Sequence, residues 1–354
     1  MLRFPLVLPL VLALVVTIVL LPGIAQALKH QQGVAPPLNP SLPDRPIATF
    51  SIVAYDPATK DLGVAVESKF FAVGAVVPWA KAGVGAIASQ AFGNTTYGPK
   101  GLELLASGKT PAEVIETLTS ADKDKDRRQV GVVDARGNAA TFTGKSCNPW
   151  AGGKTGADFT AQGNILVSEK VVDAMCDAFE KTKGELAERL LAALEAGQAA
   201  GGDSRGQQSA ALVVVREGGG YGGFNDRYID IRVDDNPQPI KELGRLLKIQ
   251  QGIARMNEAS NLYSQGKYKE AVLAAKKAVE IAPNDGDARY NLACFYSMAG
   301  ETDNSIKELE IALKLSPKLV SLARTDSDLD NIRSDPRYKK LMAAHSEAQP
   351  AKKK

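Results

Sequence analysis

Hydrolysis needs a nucleophile and a group that takes its proton, most often a histidine. This sequence contains only two histidines, His30 and His345, both far from its middle. The stretch from 47 to 248 has none, which removes a Ser–His–Asp or Cys–His arrangement and any histidine-ligated metal there. A nucleophile in this stretch must therefore be activated without imidazole. A free α-amine can do this, because its pKa of about 8 suits a base at neutral pH and it reaches its own side-chain hydroxyl. Other polar groups recur in a pattern that invites a ligand. Asp203, Arg205 and Ser209 fall between a predicted helix and a predicted strand. Arg205 could offer its guanidinium fork to a carboxylate or an oxyanion. Equally, Asp203 and Arg205 could pair with each other and fix a glycine-rich turn. Gln90 and Asn94 are candidates to line a cleft. No C-x-x-C and no spaced acidic cluster occurs, so no metal or cofactor is expected. The glycine run Gly218–Gly223 joins two predicted strands instead of opening a helix, and reads as a flexible loop, not a phosphate cradle.

The elements that must position these groups are strands first. Ala48–Ala54 alternates and is β-prone, Asp56-Pro57 and Lys60-Asp61 make a turn, and Leu62–Val66 resumes as a hairpin partner. Gly83–Ser89 follows as a third strand. Residues 99–120 are helical but broken at 109–111, where Thr110 suits an N-cap and Pro111 the first helical position. Gln129–Val133 and Ala139–Thr143 form another strand pair. Helices over 168–182 and 184–199 carry apolar faces (Val171, Val172, Met175, Phe179; Leu186, Leu190, Leu191, Leu194), and strands return at Ser209–Val215 and Tyr228–Val233. Tight turns between neighbouring strands predict antiparallel sheets in an α+β layered domain, not a doubly wound parallel one.

Beyond about residue 250 the chain repeats itself. Asn257 matches Asn291, Ala259 matches Ala293, Gly266 matches Gly300, Ala278 matches Ala312 and Pro283 matches Pro317, each pair 34 apart. This period resembles the tetratricopeptide repeat, a pair of helices closed by proline. Residues 318–342 read as a degenerate third unit or cap. Such helical pairs bury their apolar faces only by stacking. The resemblance implies a protein or peptide partner held by residues 250–345.

A second resemblance lies upstream. Thr49-Phe50-Ser51-Ile52-Val53-Ala54, Leu62 through Phe71, Val76-Val77-Pro78-Trp79-Ala80, Gly83-Val84-Gly85-Ala86 and Gly201 through Ala210 together look like the bacterial family called domain of unknown function 1028. That family is grouped with the N-terminal-nucleophile (Ntn) hydrolases, so the resemblance implies a four-layer αββα sandwich over about 47–248. It also implies a threonine-type amidohydrolase or peptidase acting on a small amide or peptide. Thr49 occupies the nucleophile's position at the start of the first strand. Lys81, 32 residues later, has a spacing similar to the lysine of proteasome-type subunits, and Lys69 is a second candidate. Glu67-Ser68-Lys69 looks like the acidic-Ser-basic turn of such enzymes. The bland readings remain beside these: Thr49 as a β-prone strand residue, and Lys81 as a surface lysine next to Trp79. The alternative function is an inactive Ntn-type scaffold that recruits a partner through its repeats.

The chain's context bears on that choice. Its 354 residues carry a net charge of only +3, so nothing demands nucleic acid as a partner. Pro5 through Leu21 is almost wholly apolar and Ala25-Gln26-Ala27 follows, which reads as a secretory signal peptide over 1–27 and a periplasmic or secreted protein. An uncleaved anchor over 4–22 is the alternative. Residues 28–46, with five prolines, form a linker or pro-segment, and 346–354 a disordered tail. Cleavage after Ala27 leaves Thr49 internal, with an amide in place of an amine. Ntn-type activity would need a second cut between Ala48 and Thr49. Cys147 and Cys176 are either a disulfide or two buried thiols, and Cys294 sits among the small packing positions of the repeats. Homo-oligomers are expected only by analogy with the fold.

Overall fold

The computed structural model describes residues 49–345. The expected signal peptide or anchor, the proline-rich segment and the tail lie outside the described residues. Within them, no helix is long and apolar enough to cross a membrane.

The first domain is built on ten strands in two antiparallel sheets. In chain order they are β1 (Thr49–Tyr55), β2 (Leu62–Ser68), β3 (Pro78–Lys81), β4 (Gly85–Ala91), β5 (Arg128–Asp134), β6 (Ala139–Thr143), β7 (Gly152–Gly156), β8 (Phe159–Asn164), β9 (Ser209–Val215) and β10 (Arg227–Val233). The larger sheet has the order β10-β9-β2-β1-β8-β7, and the smaller β3-β4-β5-β6. Helices α1 (Tyr97–Ala106) and α2 (Pro111–Ser120) cover the smaller sheet, and α3 (Lys170–Lys181) and α4 (Leu186–Ala199) the larger. The result is the expected αββα sandwich.

Period-two alternation builds these layers. On β1 and β2, Phe50, Ile52, Ala54 and Ala65 face α3 and α4, whereas Val53, Tyr55, Leu62, Val64 and Val66 face Ala86, Ala88 and Val133 of the smaller sheet. Both faces are covered, so every residue of β1, β2, β4 and β9 is buried. Phe159 and Phe179 lock α3 to β8 with ring centroids 4.8 Å apart. The Thr110 cap of α2 closes into a full capping box with Glu113.

Three strands escape the sequence patterns. β3 is only four residues long, β7 reads Gly-Gly-Lys-Thr-Gly, and β8 puts Thr160, Gln162 and Asn164 inward, where apolar residues are expected.

Helix α5 (Pro239–Ser264) belongs to both domains. Its start packs Ile240, Leu243 and Leu247 into the sandwich core, and its end places Ala259 in the core of the repeats. The boundary expected at 248 therefore lies inside one continuous helix of 26 residues, about 39 Å long. Side chains reinforce this junction. Arg255 Nη2 meets Glu185 Oε1 at 2.5 Å, and Gln251 Nε2 donates to Glu188 Oε1 at 3.1 Å.

The array continues with α6 (Tyr268–Ile281), α7 (Gly286–Met298) and α8 (Thr302–Leu315). A broken third unit caps it: α9 (Leu319–Ala323), a 3-10 turn at Ser327–Ile332, and α10 (Pro336–Ala344). Leu329, Ile332, Tyr338 and Met342 bury the apolar face that α7 and α8 would otherwise expose.

Candidate functional site

Thr49 opens β1 at one end of the sandwich, paired with Ser68 on one side and Asn164 on the other. Its side chain is fully buried on the face between the sheets, and its Oγ1 donates to Ser68 Oγ at 3.2 Å. Behind it lies a polar layer that sequence reasoning identified only in Gln90. Ser51 Oγ donates to Gln90 Oε1 at 2.6 Å and accepts from Gln162 Nε2 at 2.7 Å. Gln90 Nε2 donates to Gln129 Oε1 at 2.8 Å and, more weakly, to Thr49 O at 3.4 Å. Gln129 Oε1 also accepts from Asn164 Nδ2 at 3.0 Å, while its Nε2 donates to Gly163 O, Thr143 Oγ1 and Gly152 O at 2.7, 2.9 and 3.2 Å.

Five buried side chains on four strands therefore share one hydrogen-bonded network that reaches the carbonyl of Thr49. Amides suit such a layer because each both donates and accepts and none carries a charge to desolvate. Gly131 makes room for it, since a Cβ there would fall 2.2 Å from Gln162 Oε1. The signal in the sequence was the run Thr160, Gln162, Asn164 at period two, polar where a buried strand is normally apolar.

The other expected site residues go elsewhere. Lys81 is exposed at the tip of the β3–β4 hairpin, opposite Gly85. Gly85 is five residues along β4 from Gln90, about 17 Å away. The neighbour of Ser89 across that hairpin is the buried Val77, whose carbonyl accepts the Ser89 amide. A spacing of 32 counts residues and ignores the reversal of the chain between β3 and β4.

Glu67 is also displaced. Adjacent strand residues point to opposite faces, so Ser68 looks toward Thr49 and Glu67 toward the helical layer. Lys69 donates its backbone N–H to Asp203 Oδ2 at 3.1 Å and its Nζ to Gln207 O at 3.0 Å. It is thus committed to a turn, not to the threonine.

Asp203 and Arg205 pair with each other, Nη2 to Oδ2 at 2.8 Å and Nε to Oδ1 at 3.1 Å, which uses the fork on the turn itself. Ser209 Oγ donates to Phe70 O at 2.5 Å and accepts from Val73 N at 3.0 Å. Asn94 serves the start of α1: its Oδ1 accepts from Thr96 N at 3.1 Å and its Nδ2 donates to Asp122 at 3.1 Å. Of the expected residues, the fold brings together Thr49, Ser68 and Gln90.

The cysteines are separate thiols. Cys147 Sγ donates to Arg128 O at 3.4 Å, and burial pushes the Cys176 thiol up to about 11. In the repeats, Cys294, Asp326 and Asp328 gather their ligand-type atoms within 4.8 Å. They are tied by hydrogen bonds: Tyr290 OH donates to Asp326 at 2.7 Å, Tyr263 OH to Asp328 at 2.5 Å, and the Cys294 thiol to Asp326 at 3.7 Å. These bonds fasten the capping unit across α5 and α7. Grooves of about 750 Å³ between α4 and α5 and about 810 Å³ over α1 and α2 open on the surface, and neither is lined by Thr49, Ser68 or Gln90.

The model of the family of unknown function DUF1028 matches residues 49–243, more than half of the chain and nearly the whole sandwich. The chain belongs to the DUF1028 family. A tetratricopeptide model matches residues 262–325, so repeats follow the DUF1028 domain along the same helix. Among solved structures, a DUF1028 protein from Silicibacter pomeroyi is similar, at 34% sequence identity. The match covers 57% of this chain and 85% of that one, with a TM-score of 0.52. The DUF1028 match begins at Thr49, the residue that opens the central hairpin.

Proposed function

We propose that this protein is a latent N-terminal-threonine amidohydrolase, exported from the cytoplasm, whose repeats recruit a protein partner. The observation that carries this reading is the placement of Thr49. It is the first residue of a central strand, with its hydroxyl on Ser68 and its carbonyl on the Gln90 amide. A chain beginning at Thr49 would present an α-amine beside that hydroxyl, and the amine would serve as the base that no histidine supplies. The hydroxyl would attack the carbonyl of a small amide or peptide, its proton passing to the amine and on to the departing nitrogen. In the longer chain the same nitrogen is an amide and cannot take the proton.

A second reading is favoured by a specific finding. Lys81 sits at the far hairpin tip and Lys69 binds Gln207, so neither expected lysine stands at the threonine. An inactive sandwich that acts as a scaffold for the repeats accounts for this directly. The discriminating experiment compares protein beginning at Thr49 with protein beginning at Leu28, each treated with a β-lactone and weighed intact. Addition of one lactone mass to the shorter form alone, lost in Thr49→Ala, supports the hydrolase. Failure of the shorter, folded form to react removes it and leaves the scaffold.

A further inference from the structure

Glu67 is fully buried on β2, between Phe50 of β1 and Ala210 of β9, and neither of its carboxyl oxygens has a hydrogen-bond partner. The Gln208 N–H lies near it without making a bond of normal geometry. Three charged groups face it: Asp203, Arg205 and Lys69. The two cations are already engaged, Arg205 with Asp203 and Lys69 with Gln207 O. Glu188 and Glu195 of α4, the helix packed above, line the groove toward α5. Burial raises the Glu67 pKa well above its ordinary value, and the Asp203 charge raises it further.

Around this carboxyl, the segment after β2 is fastened by four bonds to the turn before β9 and to Ser209, the first residue of β9. Asp203 takes the Lys69 amide, Gln207 O takes Lys69 Nζ, Ser209 Oγ donates to Phe70 O, and Ser209 Oγ accepts from the Val73 amide. The fastened segment follows directly on Ser68, the hydrogen-bond partner of Thr49. We propose that Glu67 is a positioning residue that works as a charge-controlled latch: as a neutral acid it lets residues 69–73 close on the 203–209 turn, and its ionisation releases them beside Thr49. In that step the carboxyl O–H breaks, the proton passes to water, and the new anion faces Asp203 while Arg205 and Lys69 are engaged elsewhere. Opening the turn admits water to both carboxylates. This latch is independent of whether Thr49 is a nucleophile.

Linkage sets the size of the effect. Between the pKa of the open form and the higher pKa of the closed form, the opening equilibrium rises about tenfold per pH unit. The test is a carbon-13 carboxyl titration of the full chain labelled at glutamate, with the Glu67 signal assigned by its loss in Glu67→Gln. Amide signals of Lys69 and Val73 are followed in the same samples. The expected result is a Glu67 midpoint above the ordinary glutamate range, shared by both amides and abolished for them in Glu67→Gln. Ser209→Ala, which removes two latch bonds and leaves the carboxyl untouched, should lower that midpoint by up to about one pH unit. A Glu67 that titrates in the ordinary range, amides that ignore its ionisation, or a midpoint unmoved by Ser209→Ala would each overturn the latch.

Discussion

Gln129 is the side chain on which the polar layer depends, and replacing it by leucine is the sharpest test of that layer. Leucine has a similar volume and fits a buried strand position, so the change deletes hydrogen bonds with little loss of packing. Gln129 Oε1 accepts from Gln90 and Asn164, and Nε2 donates to Gly163 O, Thr143 Oγ1 and Gly152 O. Leaving one buried polar group unpaired costs about 1–3 kcal/mol. Not all five partners are orphaned, because Gln90 Nε2 keeps its weaker contacts with Thr49 O and Gln162 O, both at 3.4 Å. Asn164 Nδ2 loses its 3.0 Å bond outright, and Gln90 Nε2 is left with only its 3.4 Å contacts, so these two buried groups lose the most. Two such groups at the middle of that range give a loss of about 3–4 kcal/mol. For a domain of this size, 1 kcal/mol moves the melting temperature by about 2–4 °C. Gln129→Leu should therefore melt roughly 6–16 °C below the parent, as followed by circular dichroism. Thr143→Val removes a single bond and should lose no more than about 1 kcal/mol. A Gln129→Leu protein that melts within a degree or two of the parent would refute the view that this layer is a single buried network.

Two further outcomes follow from buried groups. The folded pKa of Glu67 lies above its ordinary 4.5, so the folded form holds its proton more tightly than the unfolded chain. The associated stability is fully present below 4.5 and is lost as pH rises toward the folded pKa. Glu67→Gln should thus gain on the parent by about 1.4 kcal/mol per pH unit across that window, measured by urea unfolding at several pH values, and a constant difference would contradict the shift. In the repeats, Tyr290→Phe removes the 2.7 Å bond to Asp326 and should destabilise the array by about 1–2 kcal/mol, read from hydrogen exchange in residues 319–344. Unchanged exchange there would mean that the cap is held by its apolar contacts alone.

Periodicity made most of the architecture legible. Alternation in 48–54 and 209–215, the apolar faces of the helices at 168–199 and the 34-residue repeat are local patterns. Local sequence determines them because one buried face must recur at the period of its element. The same holds for the absence of histidine from 47 to 248, which leaves that stretch without an imidazole of its own. Elements whose burial is not apolar were hidden. β8 turns glutamine and asparagine inward, and only the arrival of Gln90 and Gln129 from the other sheet makes that burial tolerable. Position in the third dimension was likewise beyond spacing. Lys81 counts correctly from Thr49 but lies at the wrong end of a hairpin, and Glu67 and Ser68 are neighbours in sequence on opposite faces of a sheet. Asp203 and Arg205 were read from sequence as either a ligand site or a closed pair, and only the folded turn selects the pair. Residue types and their periods fixed which layers form. The fold alone decided which side chains meet at Thr49, because a strand's reversals and two-fold alternation convert small differences in sequence number into opposite places in space.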